Sequence, residues 1–143
     1  MSIAAWEFEK IKTIAAGYGV DPAFVLAIRQ AENGGPGREF GVLSVPAPTW
    51  EDQCRICCAT VRNHLLGASD VPYKLTLGAG GIKRVSYSDT FIGTFQRTWA
   101  PTKATNDPHH LNANWAANVT KLYHDVIDDL SLEASKAIEN KVV

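Results

Sequence analysis

The segment Phe24–Glu32 reads FVLAIRQAE, and the chain breaks immediately after it, at the NGGPG stretch Asn33–Gly37. Val25, Ile28 and Glu32 recur at helical spacing, so they should share or border one inward-packing face of a helix. The glycines and proline that follow are typical of a helix end. The sequence therefore predicts a helix with an apolar face and with a carboxylate in its last turn.

Glu32 is the residue of this segment that bears most directly on function. Unpaired carbonyls at the end of a helix carry partial negative charge, which disfavours a second negative charge there. Partial burial disfavours ionisation as well. Both effects predict a raised pKa for Glu32, as a general acid requires. The alternative is a solvated, inert glutamate, but the glycine-rich loop that follows favours the first interpretation, because a bare backbone lets a ligand approach closely.

Helices are also predicted upstream of this segment. Ser2 is a suitable N-cap for a first helix that ends at Gly17 or Gly19. Asp21–Pro22 then begins the helix that carries Glu32, with Asp21 as its cap. The expected core positions of the first helix are Ala4, Phe8, Ile11, Ala15 and Tyr18.

Downstream, the pattern predicts a third helix and a short hairpin. Thr49 begins a segment like a capping box, and its helix is expected to run to Leu66 before Gly67. Alternation in Tyr73–Leu77, followed by glycines, predicts a β-hairpin near residues 73–86. The inward positions of the third helix should be Cys54, Cys57, Cys58, Val61 and Leu65.

The rest of the chain is predicted to be helical around one loop. Ser88–Asp89 opens a fourth helix that passes Trp99 and ends at Pro101, and a loop continues to His110. Asn112 is expected to cap a long last helix, and residues 131–143 to form a further short helix or a loosely attached tail. Residues 1–143 therefore predict one mainly α domain, α+β at most.

Composition and charge exclude several classes of function. The 143 residues are 45% hydrophobic, which suits one globular core. With 14 basic and 15 acidic residues the net charge is -1, so neither nucleic acid nor membrane insertion is expected. Acidic residues near the N-terminus indicate that there is no signal peptide. We expect a protein made in the cytoplasm that needs another delivery route to act outside it.

Three clustered cysteines, Cys54, Cys57 and Cys58, allow a competing hypothesis. Together with His64 they could stabilise a helical module through zinc, although the spacing matches no familiar zinc motif. Buried free thiols in a protein that folds in a reducing compartment explain the cluster better. We therefore expect no metal and no cofactor.

The order of these features resembles the lysozyme-like superfamily, in particular soluble lytic transglycosylases and phage peptidoglycan-cleaving domains. In those families a catalytic glutamate closes a helix, as Glu32 does, and a Gly-Leu-Met-Gln-like segment lines the sugar cleft, as Gly41–Ser44 would. Arg97–Pro101 and then Asn106–Pro108 are similar to the Tyr/Trp-Ala-Pro…Asn-Asp pattern of glucosaminidase-like members. The resemblance extends from Asp21 to Tyr123 and implies a lysozyme-like helical domain.

The resemblance also implies a reaction, the cleavage of peptidoglycan between N-acetylmuramic acid and N-acetylglucosamine. Glycosidases usually need a second carboxyl group, but Glu39, Glu51, Asp52 and Asp89 all read more simply as solvated or helix-start charges. Glu32 as a single acid and base fits the lytic transglycosylase route. In that route the N-acetyl group of the substrate stabilises the sugar cation that forms when the glycosidic bond breaks. The C6 hydroxyl of the substrate then closes an anhydro ring.

A sugar cleft also needs apolar faces and polar side chains. Phe40, Tyr87 and Trp99 are the candidates for stacking, and Ser44 and Asn106 for polar contacts. Core packing is a competing interpretation for Trp99, and turn formation is one for Asn106. The Tyr87 hydroxyl is expected to reach either the cleft or Glu32.

Two departures from the family pattern leave room for a rival function. Asn33 stands where the family usually has Ser, and Ser44 stands where it usually has Gln. The rival is a non-catalytic peptidoglycan-binding or phage virion structural domain with the same fold. The catalytic hypothesis implies a cell-wall-degrading, endolysin-like protein of bacteriophage origin, which a virion, a holin or a secretion machine brings to the wall in the periplasm.

Overall fold

The computed structural model describes residues 4–77, 81, 83–100 and 111–142. Within these ranges the chain forms five α-helices and one two-stranded antiparallel sheet, which confirms the mainly α prediction. In chain order the elements are α1 (Ala5–Tyr18), α2 (Pro22–Glu32), α3 (Trp50–Leu66), β1 (Tyr73–Leu77), β2 (Lys83–Tyr87), α4 (Asp89–Trp99) and α5 (Trp115–Val142).

Helix α2 is the centre of the fold. Its cap is the predicted one, because the Asp21 carboxylate accepts a hydrogen bond of 2.9 Å from the Ala23 N–H and Pro22 occupies the first turn. All six residues from Ala23 to Ile28 are buried, since α1, α3 and α5 all pack against this helix. A helix enclosed in this way can hold a side chain at its end in a fixed position.

An aromatic cluster joins α2 to the rest of the core. The ring of Phe24 makes edge-to-face contacts with four other rings, at centroid distances between 5.2 and 6.4 Å. These four are Tyr87, Phe91, Phe95 and Tyr123. Edge-to-face packing adds to the hydrophobic stabilisation of buried rings. The cluster therefore fixes α4 and α5 against α2.

The predicted hairpin is present, and Leu75 pairs with Val85 in its antiparallel register. Its outer face is unusually apolar, since Leu75 is 71% exposed, Leu77 is 66% exposed and Val85 is 55% exposed. Ser86, which points to the opposite face, is buried. The hairpin thus contacts the helices partly through polar groups.

Ion pairs hold the inner face of the hairpin. The Lys74 ammonium lies 2.9 Å from the Asp89 carboxylate at the start of α4. The Arg84 guanidinium lies 3.2 Å from the Asp21 carboxylate at the start of α2. Asp21 therefore caps its own helix and also binds the hairpin.

Most other predicted helix boundaries are also confirmed. Thr49 caps α3 by accepting a hydrogen bond from the Asp52 N–H, and Gly67 follows the last residue of that helix. Ser88 caps α4 by accepting a hydrogen bond from the Phe91 N–H.

Three expected helix ends differ from the observed ones. Helix α1 begins at Ala5, after an extended and exposed Ala4, whereas the predicted cap Ser2 lies outside the described residues. Asn112 does not cap α5, because it lies within a 3-10 turn, Leu111–Asn114, that precedes the helix. Residues 131–142 form no separate helix, since α5 continues through Val142. Among the described helices, none combines the length and the apolar character needed to cross a membrane.

Candidate active site

Glu32 is the last residue of α2, as predicted. Asn33 follows it in the left-handed conformation, with φ 45°, and donates its N–H to the Arg29 carbonyl. Asparagine is one of the few residues that adopt this conformation readily, so it can end the helix here without a glycine. The cap turns the chain away from the helix axis directly after the carboxylate.

The Glu32 carboxyl is partly buried between two tryptophans. The Trp115 indole N–H, from the first turn of α5, donates a hydrogen bond of 2.9 Å to Glu32 Oε1. The Trp99 side chain, from the last turn of α4, lies close enough to lower the pKa of the carboxyl group. Three helix ends therefore converge on one carboxyl group.

Burial raises the pKa of Glu32 above its ordinary value, and the hydrogen bond from Trp115 and the nearby Trp99 indole oppose that rise without cancelling it. No other described carboxyl group is among the causes of the shift. The raised pKa was predicted from the sequence. The carboxyl can therefore hold a proton at a higher pH than an exposed glutamate, and its partial exposure leaves a path for that proton to a ligand.

Gly41 forms the opposite wall of this site. Its φ is 75°, and a Cβ placed on it would lie 2.4 Å from Glu32 Oε2 and 2.7 Å from the carboxyl carbon. A side chain of any size would therefore collide with the carboxylate. The predicted cleft segment Gly41–Ser44 does reach Glu32, through the one residue in it that has no side chain.

Helix α3 lies beside the same carboxyl group through Cys57. Burial raises the pKa of the Cys57 thiol, and the nearby Cys58 and Glu32 raise it further. A thiol with a raised pKa stays protonated and uncharged. This side of Glu32 is therefore apolar and neutral, which contributes to the burial of the carboxyl group.

Two of the predicted sugar-stacking residues lie in the core. Phe40 is 0% exposed and packs against Trp50 at a ring distance of 5.4 Å, so it cannot stack on a ligand. Tyr87 is also buried, and its hydroxyl accepts a hydrogen bond of 2.8 Å from the Asp21 N–H. Asp21 lies at the other end of α2 from Glu32, about 16 Å away. The expected contact between Tyr87 and Glu32 is therefore wrong.

The other candidates have different outcomes. Trp99 stacks on Phe95 at 5.5 Å, as core packing predicts, and also reaches Glu32. Ser44 is exposed three residues after Gly41, so its polar contact with a ligand stays a prediction. Asn106 lies outside the described residues.

Glu39 is not the solvated loop residue that the sequence suggested. It is only 7% exposed, and its Oε1 accepts a hydrogen bond of 2.9 Å from the Gly37 N–H. Its Oε2 is buried without a hydrogen-bond partner among the described residues. Glu39 thus holds the loop after α2 together from within.

The zinc hypothesis receives no geometric support. Cys54, Cys57 and Cys58 are all buried free thiols, and the His64 ring packs edge-on against Phe95 at 5.3 Å. Among the side chains that the structure describes, no three from His, Cys, Asp or Glu are grouped in a way that could hold a metal ion.

A cavity of about 240 Å³ lies elsewhere, between the end of α3, the loop before β1 and the start of α4. Glu32 and its two tryptophans are not among the residues that line it. The chemistry of the candidate site is at Glu32, because the perturbed carboxyl and its fixed partners are there and not in this cavity.

Sequence reasoning did not find two residues that build the site. Trp115 is buried in the first turn of α5, and its bond to Glu32 joins positions 83 residues apart. Gln53 was not considered, although it lies four residues before Cys57 on the inward side of α3. A polar residue on an apolar helix face is the signal that could have revealed it.

No protein-family model, no curated protein and no solved structure matches the chain. Its function must therefore be inferred from the geometry around Glu32 and from the sequence resemblance.

Proposed function

We propose that this protein cleaves the glycan strands of peptidoglycan between N-acetylmuramic acid and N-acetylglucosamine, with Glu32 as its single acid and base. The observation that carries the proposal is the Glu32 carboxyl itself, which is partly buried, lies beside two indoles and is raised in pKa. A protonated carboxyl in a partly open site is what departure of a sugar oxygen requires.

The single-acid route of lytic transglycosylases fits this site better than a two-carboxylate route. Glu32 gives its proton to the bridging oxygen as the bond from that oxygen to the anomeric carbon breaks. The N-acetyl group of the substrate stabilises the resulting cation. The ionised Glu32 then takes the proton of the C6 hydroxyl while that oxygen bonds to the anomeric carbon. The proton returns to Glu32, and the product carries a 1,6-anhydro ring.

The groups around Glu32 support this role. The indole N–H of Trp115 holds Oε1, which leaves Oε2 on the side of Gly41. Neither neutral indole carries the full positive charge that would keep Glu32 ionised. Two of the four carboxylates weighed as partners of Glu32 have other contacts, since Glu51 pairs with Lys10 and Asp89 with Lys74.

The proposed partner is therefore the peptidoglycan strand, and the place of action is the bacterial cell wall. A phage virion, a holin or a secretion machine would bring the protein there. The rival is a domain that binds the wall or takes part in a virion without cutting sugar.

The test is the release of soluble fragments from purified sacculi by the wild-type protein and by Glu32→Gln. We expect Glu32→Gln to fold, to bind sacculi and to lose at least about 10³-fold of the activity, because general acid catalysis typically contributes factors of 10² to 10⁴. Glu51→Gln, which removes one acidic charge at the start of α3, is the matched control and should remain active.

The products decide between the reactions. Fragments that end in 1,6-anhydro sugars are one water lighter than hydrolysis products, and mass spectrometry separates the two. Activity that survives in Glu32→Gln would refute the proposal. Binding of the wild-type protein to sacculi without any soluble fragment would establish the non-catalytic rival instead.

A further inference from the structure

The loop between α2 and α3 receives most of its side-chain hydrogen bonds from one residue outside it, and Arg29 donates one more, of 3.3 Å, to the Glu39 carbonyl. Its own backbone supplies few hydrogen bonds, such as Arg38 N–H to Gly35 carbonyl and Gly41 N–H to Arg38 carbonyl. Buried peptide groups need partners, so the rest of the loop must find them elsewhere. Gln53, a fully buried residue in the first turn of α3, provides them.

Both ends of the Gln53 carboxamide bind loop backbone. Its Oε1 accepts hydrogen bonds from the Phe40 N–H at 3.2 Å and the Val42 N–H at 3.1 Å. Its Nε2 lies 2.9 Å from the Gly37 carbonyl oxygen, 3.0 Å from that of Val42 and 2.9 Å from that of Ala47, so its two N–H groups are shared among three acceptors. One side chain thus binds four separate positions of the loop.

Only a carboxamide can make this set of contacts, because it combines an acceptor oxygen with an NH₂ donor. A glutamate at position 53 would place a second acceptor against three carbonyls. A methionine would fill the same space and would leave all five backbone groups without a partner. The bonds therefore specify glutamine, and not simply a buried side chain of this size.

The two accepted hydrogen bonds stand on either side of Gly41. Phe40 and Val42 are its direct neighbours, and Gly41 is the residue whose backbone lies against the Glu32 carboxyl. A shift of this backbone would open the wall of the site and admit water beside the carboxyl group. The position of Gly41 is thus set from α3, while Glu32 is placed by α2.

We propose that Gln53 is a positioning residue, which holds the Phe40–Val42 backbone against the Glu32 carboxyl and so keeps the site in its working shape. The importance of Gln53 for catalysis rests on the proposed function of Glu32. Its contact with the Phe40–Val42 backbone does not depend on that function. Gln53 touches neither Glu32 nor, on this view, the substrate.

The first measurement uses the wild-type protein and needs no variant. Amide hydrogen exchange should show the N–H groups of Phe40 and Val42 to be protected to nearly the same degree as those in the middle of α3, because the loop can open only when Gln53 is released. Exchange of these two amides at the rate of the exposed loop residues Leu43 and Ser44 would overturn the proposal.

The second measurement follows the ionisation of Glu32 by NMR in Gln53→Met and Gln53→Glu. We expect the pKa of Glu32 to fall towards its ordinary value of 4.5, since a loosened wall admits water. We also expect the protection of the Phe40 and Val42 amides to fall by about tenfold or more. A folded Gln53→Met protein with unchanged Glu32 titration and unchanged amide protection would contradict the proposal.

Tyr123→Phe is the matched control. It removes two other hydrogen bonds at the far end of α2, one of 2.6 Å from the Tyr123 hydroxyl to the Asp21 carboxylate and one of 2.9 Å from the Tyr87 N–H to that hydroxyl. It should lower stability and leave the Glu32 titration unchanged. These measurements do not depend on activity, so an active Glu32→Gln protein would end the proposed function and leave the role of Gln53 to be decided by the NMR results.

Activity adds a readout that a purely structural role would not move. If Glu32 is the acid, the Gln53 variants should shift the alkaline limb of the pH–rate profile to lower pH, together with the pKa of Glu32. A loss of activity with an unshifted pH profile would show that Gln53 affects only stability.

Discussion

Replacement of Gly41 by alanine tests the geometry of the candidate site most directly. Gly41 combines a left-handed backbone with the closest approach to the Glu32 carboxyl group. Alanine adds a single carbon atom, so its effect can be worked out from two separate terms. The first is the cost of a side chain at positive φ, and the second is the collision with the carboxylate.

The first term is about 1–2 kcal/mol for any non-glycine residue in this conformation. The second follows from the distance of 2.4 Å between the new Cβ and Glu32 Oε2, where ordinary contacts begin at 3.4 Å. The carboxylate must shift by about 1 Å, which takes its 2.9 Å bond to Trp115 outside the normal range of hydrogen-bond distances. Loss of that buried bond adds about 1–3 kcal/mol. We therefore expect Gly41→Ala to destabilise the fold by about 2–5 kcal/mol.

Two other glycines in the chain separate these terms. Gly19 has φ 69°, and a Cβ added to it would have nothing within 4 Å, whereas Gly37 has φ 82° and its added Cβ would meet only the Pro48 carbonyl oxygen at 3.5 Å. Alanine at either position should cost only the first term, about 1–2 kcal/mol.

Thermal and denaturant unfolding of the three variants measures the difference. Gly41→Ala should unfold about 2–10 °C below the two controls, and it alone should alter the Glu32 titration and wall-degrading activity. If all three variants lose the same stability and keep the same activity, Gly41 is not in contact with the carboxylate and the described site is wrong.

Two further predictions concern the pH dependence of stability. Because the folded-state pKa of Glu32 is raised, its ionisation opposes folding, and the wild type should lose stability relative to Glu32→Gln as the pH rises from about 4.5 through that folded-state pKa. The stability advantage of Glu32→Gln over the wild type is about 1.4 kcal/mol for each pH unit by which the folded-state pKa of Glu32 exceeds 4.5. A stability advantage that is instead largest at acid pH would contradict the raised pKa. Glu7 should behave in the opposite way: burial tends to raise its pKa, but hydrogen bonds from Arg29 and Trp50 outweigh burial and lower it. The stabilisation of the fold by Glu7 should be complete above pH 4.5 and be lost as the pH falls through the folded-state pKa. Glu7→Gln should therefore lower the free energy of unfolding by about 2–4 kcal/mol at pH 7 and by progressively less in acid. Urea unfolding over a pH series would measure this difference.

Local patterns predicted much of the framework. Asp21 and Pro22 identified the start of α2, Glu32 its end, and Thr49 and Ser88 the starts of two later helices. These signals succeed because a cap is made within a few residues of chain. The raised pKa of Glu32 was also predicted, since its helical neighbours already indicated partial burial.

Contacts between distant parts of the chain could not be predicted in this way. Phe40 and Tyr87 are aromatic residues in or beside loops, and the sequence alone does not say whether such a ring faces a ligand or the core. The bond from Trp115 to Glu32 and the five bonds of Gln53 depend on how helices pack, which local periodicity does not determine. Asn112 was misassigned because a 3-10 turn precedes α5, and a good capping residue can also occur inside such a turn.

The buried cysteines have a consequence for where the protein can work. Cys54, Cys57 and Cys58 are each 0% exposed, and the thiol pKa is raised in Cys54 by its bond to Cys58 and by burial, and in Cys57 by burial. Oxidants and disulfide exchange act on the thiolate, so these sulfur atoms react slowly while the fold is intact. A chain made under reducing conditions can then enter an oxidising surrounding without becoming cross-linked. On the proposed function, folding and not the absence of cysteine would protect the protein there.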